Sequence, residues 1–482
     1  MAEGRARASV TVAIAGSGGA GVMTAGNMLL EAAAKAGWYG LMVRTSGPQI
    51  RGGEAAALMR IATHPVDGLD DRFDILLAID WQNVNRFADE LPLDGASLVI
   101  GDPDQGEVPE IYVQSPARQA RAPMKATARS IPGSWPNMVA LGIAAGLIGL
   151  PKNEVVKVVE QSLRKRADTL NASLAAVDAG YLAAVDIGGD YTLAPPAATS
   201  TSRWLVSGNQ AAGFGAIRGG VRFCAAYPIT PATEMLEYLA PALVEVGGVL
   251  VQAEDELASV NMIIGASYGG VPSITATAGP GLALMTEAIG LAVASEVPIV
   301  VVDVMRGGPS TGIPAKSEQS DLSMAVYGLH GDAPRVVVAP NSIADCVVTT
   351  QWAVHLAEAM QTPALVLSDQ YFGQTRAVVD RPADVAFVGN RVTATANTED
   401  YKRYAVTETG LSPMAIPGTP GVAYTADGLE HNERGTPSSQ SGDHARQLAK
   451  RERKLAGYDY GGHWADIEGD GEIAVLTFGS ST

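Results

Sequence analysis

At about 150 residues per domain, the 482 residues of this chain predict about three domains. A net charge of −17, from 51 acidic against 34 Lys and Arg residues, would repel phosphate backbones and anionic membranes, so nucleic-acid binding is disfavoured as the main task. The only cysteines, Cys224 and Cys346, lie far apart with no CxxC, which excludes a zinc site or an iron–sulfur cluster held by this chain's thiolates alone.

Two apolar stretches lack the features of membrane-directed segments. The run 10–15 meets Gly16 too early for the apolar core of a signal peptide. The most apolar later stretch, 281–304, contains three carboxylates and makes a poor membrane span. The sequence therefore predicts a soluble, cytoplasmic protein with no membrane partner.

The first predicted domain, residues 1–187, opens as a βα unit. A β-type run, 9–15, precedes a glycine-rich turn and then a helical pattern over 22–36. Two further apolar runs, 75–79 and 97–100, end at polar residues as parallel strands do. These patterns predict an α/β domain.

The glycine-rich turn contains Gly16, Gly18, Gly19 and Gly21. Such a turn lets backbone N–H groups and a helix N-terminus face an anion. A dinucleotide site also expects an acidic residue about 20 residues on, but that region offers Arg44, so NAD loses support. A phosphate-bearing ligand and a merely tight strand–helix turn both remain open.

The segment 46–53 places glycines and a proline around Arg51. A guanidinium can bind phosphate or carboxylate through two hydrogen bonds. A plain surface loop is the alternative interpretation.

A linker at 188–203, rich in Gly, Pro, Ser and Thr, precedes a second predicted domain at 204–388. Short apolar runs separated by helical stretches predict a doubly wound, mostly parallel sheet there. The runs are Val249–Gln252, Ser273–Thr277, Ile299–Val304, Arg335–Ala339 and Ala364–Leu367.

Residues 389–470 are predicted to be a partly helical connector. Residues 471–482 are predicted to form the first strand of a further domain, at which the chain looks cut.

Polar residues follow several of these predicted strands. Thr230 lies between two prolines that would restrict its backbone. Glu254, Asp255 and Glu256 follow the next run, and spacing alone does not choose among them, since acidic triplets are common at helix starts. Arg306 follows a buried run and could meet a substrate carboxylate or simply pair with a neighbouring one. The carboxyl ends of parallel strands are where open α/β sheets bind ligands.

Two common enzyme classes find no support in the sequence. No pair among the 6 histidines has metal-binding spacing on a helix, and no GxSxG motif is present. A metalloenzyme and a hydrolase with a catalytic triad are therefore poor predictions.

The motifs together resemble the α subunit of 2-oxoacid:ferredoxin (acceptor) oxidoreductases, of the 2-oxoglutarate type with a γ domain fused ahead of the α domain. The likeness covers nearly the whole chain. In the first domain it rests on Gly16 to Gly21, Thr24 to Gly26 and Ser46 to Gly53. In the remainder it rests on Tyr227 to Pro231, Gln252 to Glu254, Ala276 to Gly281, Arg306 to Gly312, Lys316 to Asp321, Gly428 to Gly435 and His444 to Leu455.

The resemblance implies an α/β fold made of a γ domain and a thiamine-diphosphate pyrimidine-binding-type doubly wound domain, truncated before a third domain similar to the C-terminal domain of transketolase. It implies oxidative decarboxylation of a 2-oxo acid with coenzyme A to an acyl-CoA, with electrons passing to ferredoxin. In such enzymes a carboxylate matching Glu254 hydrogen-bonds the pyrimidine N1′. The match within Gln252 to Glu254 selects this residue.

Further site residues are implied by the same resemblance. Thr230 contacts the substrate, Arg306 binds the carboxylate of the 2-oxo acid, and Lys316 is a candidate for a distal carboxylate. Cofactor contacts are expected at Tyr227, Pro228, Ile229 and Glu254. For coenzyme A or for docking, contacts are expected at Gly16, Gly18, Gly19 and Gly21.

The expected partner is a β subunit that carries the diphosphate, Mg²⁺ and an iron–sulfur cluster, in an (αβ)2 assembly that reduces ferredoxin. No metal ligand is expected on this chain, since Gly469-Asp-Gly471 imitates the start of the thiamine diphosphate metal motif without its downstream Asn. The motifs do not define the 2-oxo acid. An indolepyruvate or other 2-oxo acid oxidoreductase subunit and a non-catalytic nucleotide-binding scaffold subunit remain alternatives.

Overall fold

The computed structural model describes residues 6–47, 53–196 and 202–482. The chain forms two compact units, one of Met1–Ser207 with Gln374–Arg381 and one of Gly208–Gly373 with Pro382–Thr482. Each unit has its own sheet, and each is described separately below.

The strands are β1 (Ser9–Ser17), β2 (Tyr39–Ser46), β3 (Glu54–Ala62), β4 (Ile75–Ala78), β5 (Leu98–Gly101), β6 (Arg118–Arg121), β7 (Arg203–Ser207), β8 (Phe223–Ala226), β9 (Val249–Gln252), β10 (Ser273–Thr277), β11 (Val300–Met305), β12 (Val336–Val338), β13 (Ala364–Asp369) and β14 (Arg376–Asp380).

The helices are α1 (Val22–Lys35), α2 (Glu110–Val113), α3 (Met124–Ser130), α4 (Pro136–Leu147), α5 (Lys152–Leu163), α6 (Ala167–Ile187), α7 (Gly208–Gly219), α8 (Thr233–Glu245), α9 (Glu256–Tyr268), α10 (Gly279–Ala294), α11 (Leu322–Tyr327), α12 (Asp345–Met360), α13 (Gln370–Gln374) and α14 (Ser441–Ala456). Short 3-10 helices lie at Val84–Glu90, Gly461–Trp464 and Gly479–Ser481.

The first unit contains an eight-stranded mixed sheet in the order β6-β5-β4-β1-β3-β2-β14-β7. β1, β4 and β5 are parallel, as the apolar runs predicted, and β6, which no apolar run indicated, is parallel to β5, whereas β3, β2, β14 and β7 add on antiparallel. β14, and β7 after its first residue, come from the range 204–388 that the sequence assigned to the second domain. They belong to this sheet because β14 pairs with β2 on one side and β7 on the other.

Helix α6 packs closely along α4 within the first unit. By length and hydropathy its residues Asp168–Ile187 could cross a membrane. A Cβ added at Gly142 would lie 2.2 Å from the Val177 carbonyl oxygen, and one at Gly180 would lie 2.3 Å from that of Val139. The helices therefore meet backbone to backbone, as helices of a protein core do.

The second unit contains a six-stranded sheet in the order β12-β13-β11-β10-β8-β9, in which every neighbouring pair is parallel. This confirms the predicted doubly wound α/β class. Parallel strands buried on both faces need apolar residues throughout, and every residue of β10, β11 and β13 is buried. The carboxyl ends of these strands all lie at one edge of the sheet.

The connector is fastened to the second unit by a buried charge cluster. Glu296, fully buried just after α10, receives ion pairs from Lys450 at 2.5 Å and Lys454 at 3.1 Å on α14. Burial alone would raise the pKa of Glu296, but the ammonium groups of Lys454 and Lys450 hold it below its ordinary value. The predicted partly helical connector thus contains α14, which packs against the core.

The predicted strand at 471–482 does not form. Residues 472–478 have no regular structure, and Ile473, Val475 and Leu476 are more than four-fifths exposed. A strand needs a neighbour to satisfy its backbone groups, and no strand of the described residues pairs with this segment.

Replacing the central carboxylate tests the charge cluster. Glu296→Gln leaves two buried ammonium groups without their carboxylate, which costs about 3–5 kcal/mol for a buried pair. Denaturant unfolding of the chain measures the loss. Asp400→Asn, which removes an ion pair to Arg434 whose side chains are 56% and 62% exposed, is the control and costs at most about 1 kcal/mol. A similar small cost for both variants would contradict the role of Glu296.

Candidate functional site

The carboxyl ends of β8, β9, β10 and β11 bring the predicted site residues of the second unit to one sheet edge. Thr230 follows β8, Glu254 follows β9, the glycines at the start of α10 follow β10, and Arg306 follows β11. Because β9, β8, β10 and β11 are successive neighbours in the sheet, these four segments lie side by side. The sequence predicted that the residues following these strands share one edge of the sheet, and the structure places them there.

The segment after β8 turns directly into a helix. Tyr227, Pro228 and Ile229 are half-buried, whereas Thr230 is exposed. The Ile229 carbonyl accepts a hydrogen bond from the Thr233 N–H at 3.0 Å, which starts α8. The Pro231 carbonyl accepts from the buried Asn209 side chain at 2.8 Å. Backbone hydrogen bonds thus hold the turn that presents Thr230.

Arg306 fastens two loops to each other. Its Nη1 donates to the Thr230 carbonyl at 2.5 Å and its Nη2 to the Thr311 carbonyl at 2.7 Å. The residue is 6% exposed, and burial lowers the pKa of its guanidinium. Among the described residues no carboxylate forms an ion pair with it, so its positive charge is not neutralised locally. The sequence indicated Arg306 but not its carbonyl partners.

Three neighbouring carboxylates after β9 have different surroundings. Asp255 is the N-cap of α9 and accepts from the Ala258 N–H at 2.5 Å. Glu256 lies beside Gly281, where an added Cβ would be 2.9 Å from its Cγ. Glu254 is exposed, has a positive φ of 55°, and accepts a hydrogen bond from the Gln252 side chain. Asp255 and Glu256 have local structural roles, and the geometry favours Glu254 as the carboxylate available to a ligand.

The start of α10 requires glycine because other groups approach it closely. A Cβ at Gly279 would lie 2.7 Å from Asp321 Oδ2, and a Cβ at Gly281 would lie 2.0 Å from Thr277 Oγ1. The loop after β11 passes nearby, where the Lys316 carbonyl accepts from the Gly307 N–H at 3.0 Å. Lys316 is half-buried in this loop.

The glycine-rich turn of the first unit has an acidic partner that the sequence did not reveal. The Asp80 carboxylate, which follows β4, accepts from the Ser17 N–H at 3.0 Å and the Ser17 hydroxyl at 2.8 Å. Gly18 donates its N–H to the Gly53 carbonyl, and Gly21 starts α1 with a φ of 80°. At Ser17 the turn therefore faces a carboxylate that would repel a phosphate, which favours the tight strand–helix turn there.

The remaining glycines of this turn, Gly16 and Gly19, differ in their surroundings. A Cβ at Gly19 would meet no atom within 4 Å, whereas one at Gly16 would lie 3.3 Å from Asp80 Oδ2. Their contacts to coenzyme A stay a prediction. Arg51, the other predicted anion-binding residue of this unit, lies outside the described residues.

The described residues offer no metal site. In residues 6–47, 53–196 and 202–482, no group of three or more His, Cys, Asp or Glu side chains could hold a metal ion. Cys224 and Cys346 are both free and buried, and burial raises the pKa of the Cys224 thiol to about 12. A buried thiol of such high pKa is a poor metal ligand.

Two protein families match the two halves of the chain. The family described as "Pyruvate ferredoxin/flavodoxin oxidoreductase" matches residues 11–183. The family described as "Pyruvate flavodoxin/ferredoxin oxidoreductase, thiamine diP-bdg" matches residues 214–450, which include the sheet edge described above. The fold and the site thus define an oxidoreductase subunit with a domain of the thiamine diphosphate-binding type.

Individual relatives cover most of the chain. The 2-oxoacid:ferredoxin oxidoreductase subunit alpha of Sulfolobus sp is 30% identical over 92% of this chain and 77% of its own length. The 2-oxoglutarate oxidoreductase subunit KorA of Mycobacterium tuberculosis is 30% identical over 98% of this chain and 78% of its own. The chain belongs to the family of 2-oxoacid:ferredoxin oxidoreductase α subunits, which confirms the resemblance in the sequence.

A solved structure matches at the level of the fold. The 2-oxoglutarate:ferredoxin oxidoreductase of Magnetococcus marinus, described with 2-oxoglutarate, coenzyme A and succinyl-CoA bound, superposes with a TM-score of 0.87. It is 38% identical in sequence, and the match covers 94% of this chain and 80% of that one.

Replacing Arg306 by lysine tests its role in holding the two loops. A single ammonium keeps the charge but cannot span two carbonyls as a planar guanidinium does. We expect Arg306→Lys to raise hydrogen exchange about tenfold for the backbone amides of 229–233 and 307–316, in line with loss of about 1.4 kcal/mol of local stability.

Arg335→Lys is the matched control. Arg335 is half-buried, and like Arg306 its guanidinium bonds two backbone carbonyls, those of Ala325 and Ala333, each at 2.7 Å. It precedes β12, at the opposite edge of the sheet. Its replacement leaves exchange of the two site loops unchanged, and an equal effect from both variants would show that Arg306 has no special role there.

Proposed function

We propose that this chain is the α subunit of a coenzyme A-dependent 2-oxoacid:ferredoxin oxidoreductase, which decarboxylates a 2-oxo acid to an acyl-CoA and passes electrons to ferredoxin. The observation that carries the proposal is the sheet edge where exposed Glu254 lies next to the loops fastened by Arg306. The preferred substrate is 2-oxoglutarate, because the Magnetococcus enzyme was described with this compound bound.

Glu254 fits the pyrimidine half of thiamine diphosphate. Bound thiamine diphosphate supplies a carbon nucleophile for attack on the 2-oxo group. In the proposal, the exposed Glu254 carboxylate accepts a hydrogen bond from the pyrimidine N1′ and holds the proton there, while Gln252 orients the carboxylate through its own hydrogen bond. Tyr227, Pro228 and Ile229 line the neighbouring turn.

The substrate's carboxylate is proposed to lie near Arg306. Both terminal nitrogens of this residue already bond backbone carbonyls, so it acts mainly through its charge, which is strong at a buried position. Thr230, exposed beside it, offers a hydroxyl to the substrate. Lys316 on the adjacent loop is the proposed partner of the distal carboxylate that distinguishes 2-oxoglutarate from shorter 2-oxo acids.

The chain is proposed to be catalytically incomplete alone. The β-type partner would carry the diphosphate-binding residues, Mg²⁺ and an iron–sulfur cluster, since both cysteines of this chain are buried. The relatives are named as subunits, in keeping with a heteromer, and we propose an (αβ)2 assembly in the cytoplasm. Coenzyme A is the proposed co-substrate, with Gly16, Gly18, Gly19 and Gly21 in or near its site.

Glu254→Gln tests the proposal directly in the reconstituted complex. The amide keeps the size of the side chain but cannot hold a proton as the carboxylate does, so turnover should fall at least about 100-fold, as for loss of a general acid–base group. Coenzyme A-dependent reduction of ferredoxin measures turnover, and gel filtration checks that the complex still assembles.

Asp255→Asn is the matched control, because asparagine also caps helices. We expect activity within about twofold of the parent for this variant. Near-normal activity of Glu254→Gln would show that the wrong carboxylate was chosen. A substrate panel that includes indolepyruvate distinguishes the 2-oxoglutarate enzyme from an aromatic 2-oxo acid oxidoreductase.

A further inference from the structure

Two carboxyl groups, one buried and one half-buried, lie beneath the candidate site without a basic partner among the described residues. Asp303, on β11, is fully buried, and neither of its carboxyl oxygens accepts a hydrogen bond from any N–H or hydroxyl of the described residues. Its register partners are Thr277 on β10 and Leu367 on β13, both uncharged. A buried carboxyl group with no donor is costly and is normally explained by function or by a shared proton.

The second carboxyl group belongs to Asp321, which precedes α11. Its side chain lies against that of Asp303, close enough for the two carboxyl groups to form a hydrogen bond when one of them is protonated. Its Oδ2 is buried and receives no other donor among the described residues. The approach is possible because Gly279 has no side chain: an added Cβ there would lie 2.7 Å from Asp321 Oδ2.

Two carboxyl groups that hydrogen-bond each other must hold a proton between them, because two carboxylates would only repel. Burial raises the pKa of Asp303 well above its ordinary value, and Asp321 raises it further. Burial also raises the pKa of Asp321; the contact with Asp303 opposes this rise, and Glu318 in the same loop adds to it. At the start of α10, the residue next to Asp321 is the uncharged Gly279. A further charged group there is the acidic Glu256 of α9, which lies beside Gly281.

The pair lies at one end of the loop 307–321. The other end is held by Arg306 through the Thr311 carbonyl, by the Gly307 N–H on the Lys316 carbonyl at 3.0 Å, and by the Gly308 N–H on Glu318 at 2.8 Å. The far end meets the sheet at the contact of Asp321 with Asp303 and at Asp369 on β13, whose Oδ2 accepts from the Gln319 side chain at 3.4 Å. Ionisation of both carboxyl groups would therefore act on the loop that contains Lys316.

We propose that Asp303 is a positioning residue whose carboxylic acid donates a hydrogen bond to Asp321 and thereby holds the loop 307–321 against the strand ends, and that loss of the shared proton releases this loop. The stabilising contribution is fully present below the ordinary aspartate pKa and is lost as pH rises through the raised value. Only its catalytic consequence rests on the proposed function. There, release of the loop moves Lys316 away from the substrate.

Asp303→Asn tests the proposal, because its amide can donate to Asp321 but cannot ionise. Tryptic cleavage after Lys316 in the purified full chain reports on the loop, and cleavage of a small chromogenic peptide corrects for the pH dependence of trypsin. From about pH 6 to about pH 9 we expect the corrected rate to rise about tenfold in the parent and to stay constant in Asp303→Asn. Asp321→Asn, which also retains a donor, should behave like Asp303→Asn and provides a second variant if the first does not fold.

Asp345→Asn is the matched control, since Asp345 is a half-buried aspartate whose carboxylate accepts from the Asn341 N–H and the Thr349 hydroxyl, each at 2.9 Å. In Asp345→Asn, the corrected rate of cleavage after Lys316 should rise with pH as it does in the parent. A pH-independent rate in the parent, or an Asp303→Asn rate that rises with pH as in the parent, would overturn the proposal.

The assembled enzyme separates this proposal from the proposed function. If the loop behaves as expected, the parent's KM for 2-oxoglutarate should rise with pH about tenfold more than that of Asp303→Asn, with kcat little changed. A complex with no turnover of any 2-oxo acid would refute the proposed function, while the cleavage experiment would still decide the role of the carboxyl pair.

Discussion

A single buried guanidinium fixes the arrangement of the candidate site. The parallel sheet brings the ends of β8 and β11 together, but the loops that follow would be free to separate without a common partner. Arg306 bonds the carbonyls of Thr230 and Thr311 and joins these loops while retaining its charge. Because carbonyl oxygens do not neutralise a cation, the same residue stabilises the loops and makes the sheet edge attractive to a carboxylate.

The carboxylates around this cation have separate roles. Asp255 caps α9, and Glu256 lies against the start of α10, so both contribute to the fold. Glu254 is exposed and, unlike the other two, neither caps a helix nor packs against the start of one. Asp303 and Asp321 lie beneath the loops and contact each other. One sheet edge thus combines an exposed carboxylate for a ligand with buried carboxyl groups that act on a loop.

The sequence predicted the parts of the structure that depend on local pattern. Apolar runs such as Ile299–Val304 identify buried parallel strands, and polar residues at their ends must share an edge. Contacts between distant residues leave no such pattern. The return of β14 to the first sheet, the contact of Asp80 with Ser17 and that of Asp321 with Asp303 depend on the path of the intervening chain. Arg306 was found because it follows a strand directly, but its carbonyl partners are backbone atoms that any sequence provides.

The central claim is that this chain supplies one half of a thiamine diphosphate site and is inactive without its partner. Coenzyme A-dependent, thiamine diphosphate-dependent reduction of ferredoxin by 2-oxoglutarate tests it most directly, measured for this chain alone, for the β-type partner alone and for their mixture. We expect no turnover from either protein alone and turnover from the mixture. Turnover by this chain alone, or by the partner without it, would contradict the account.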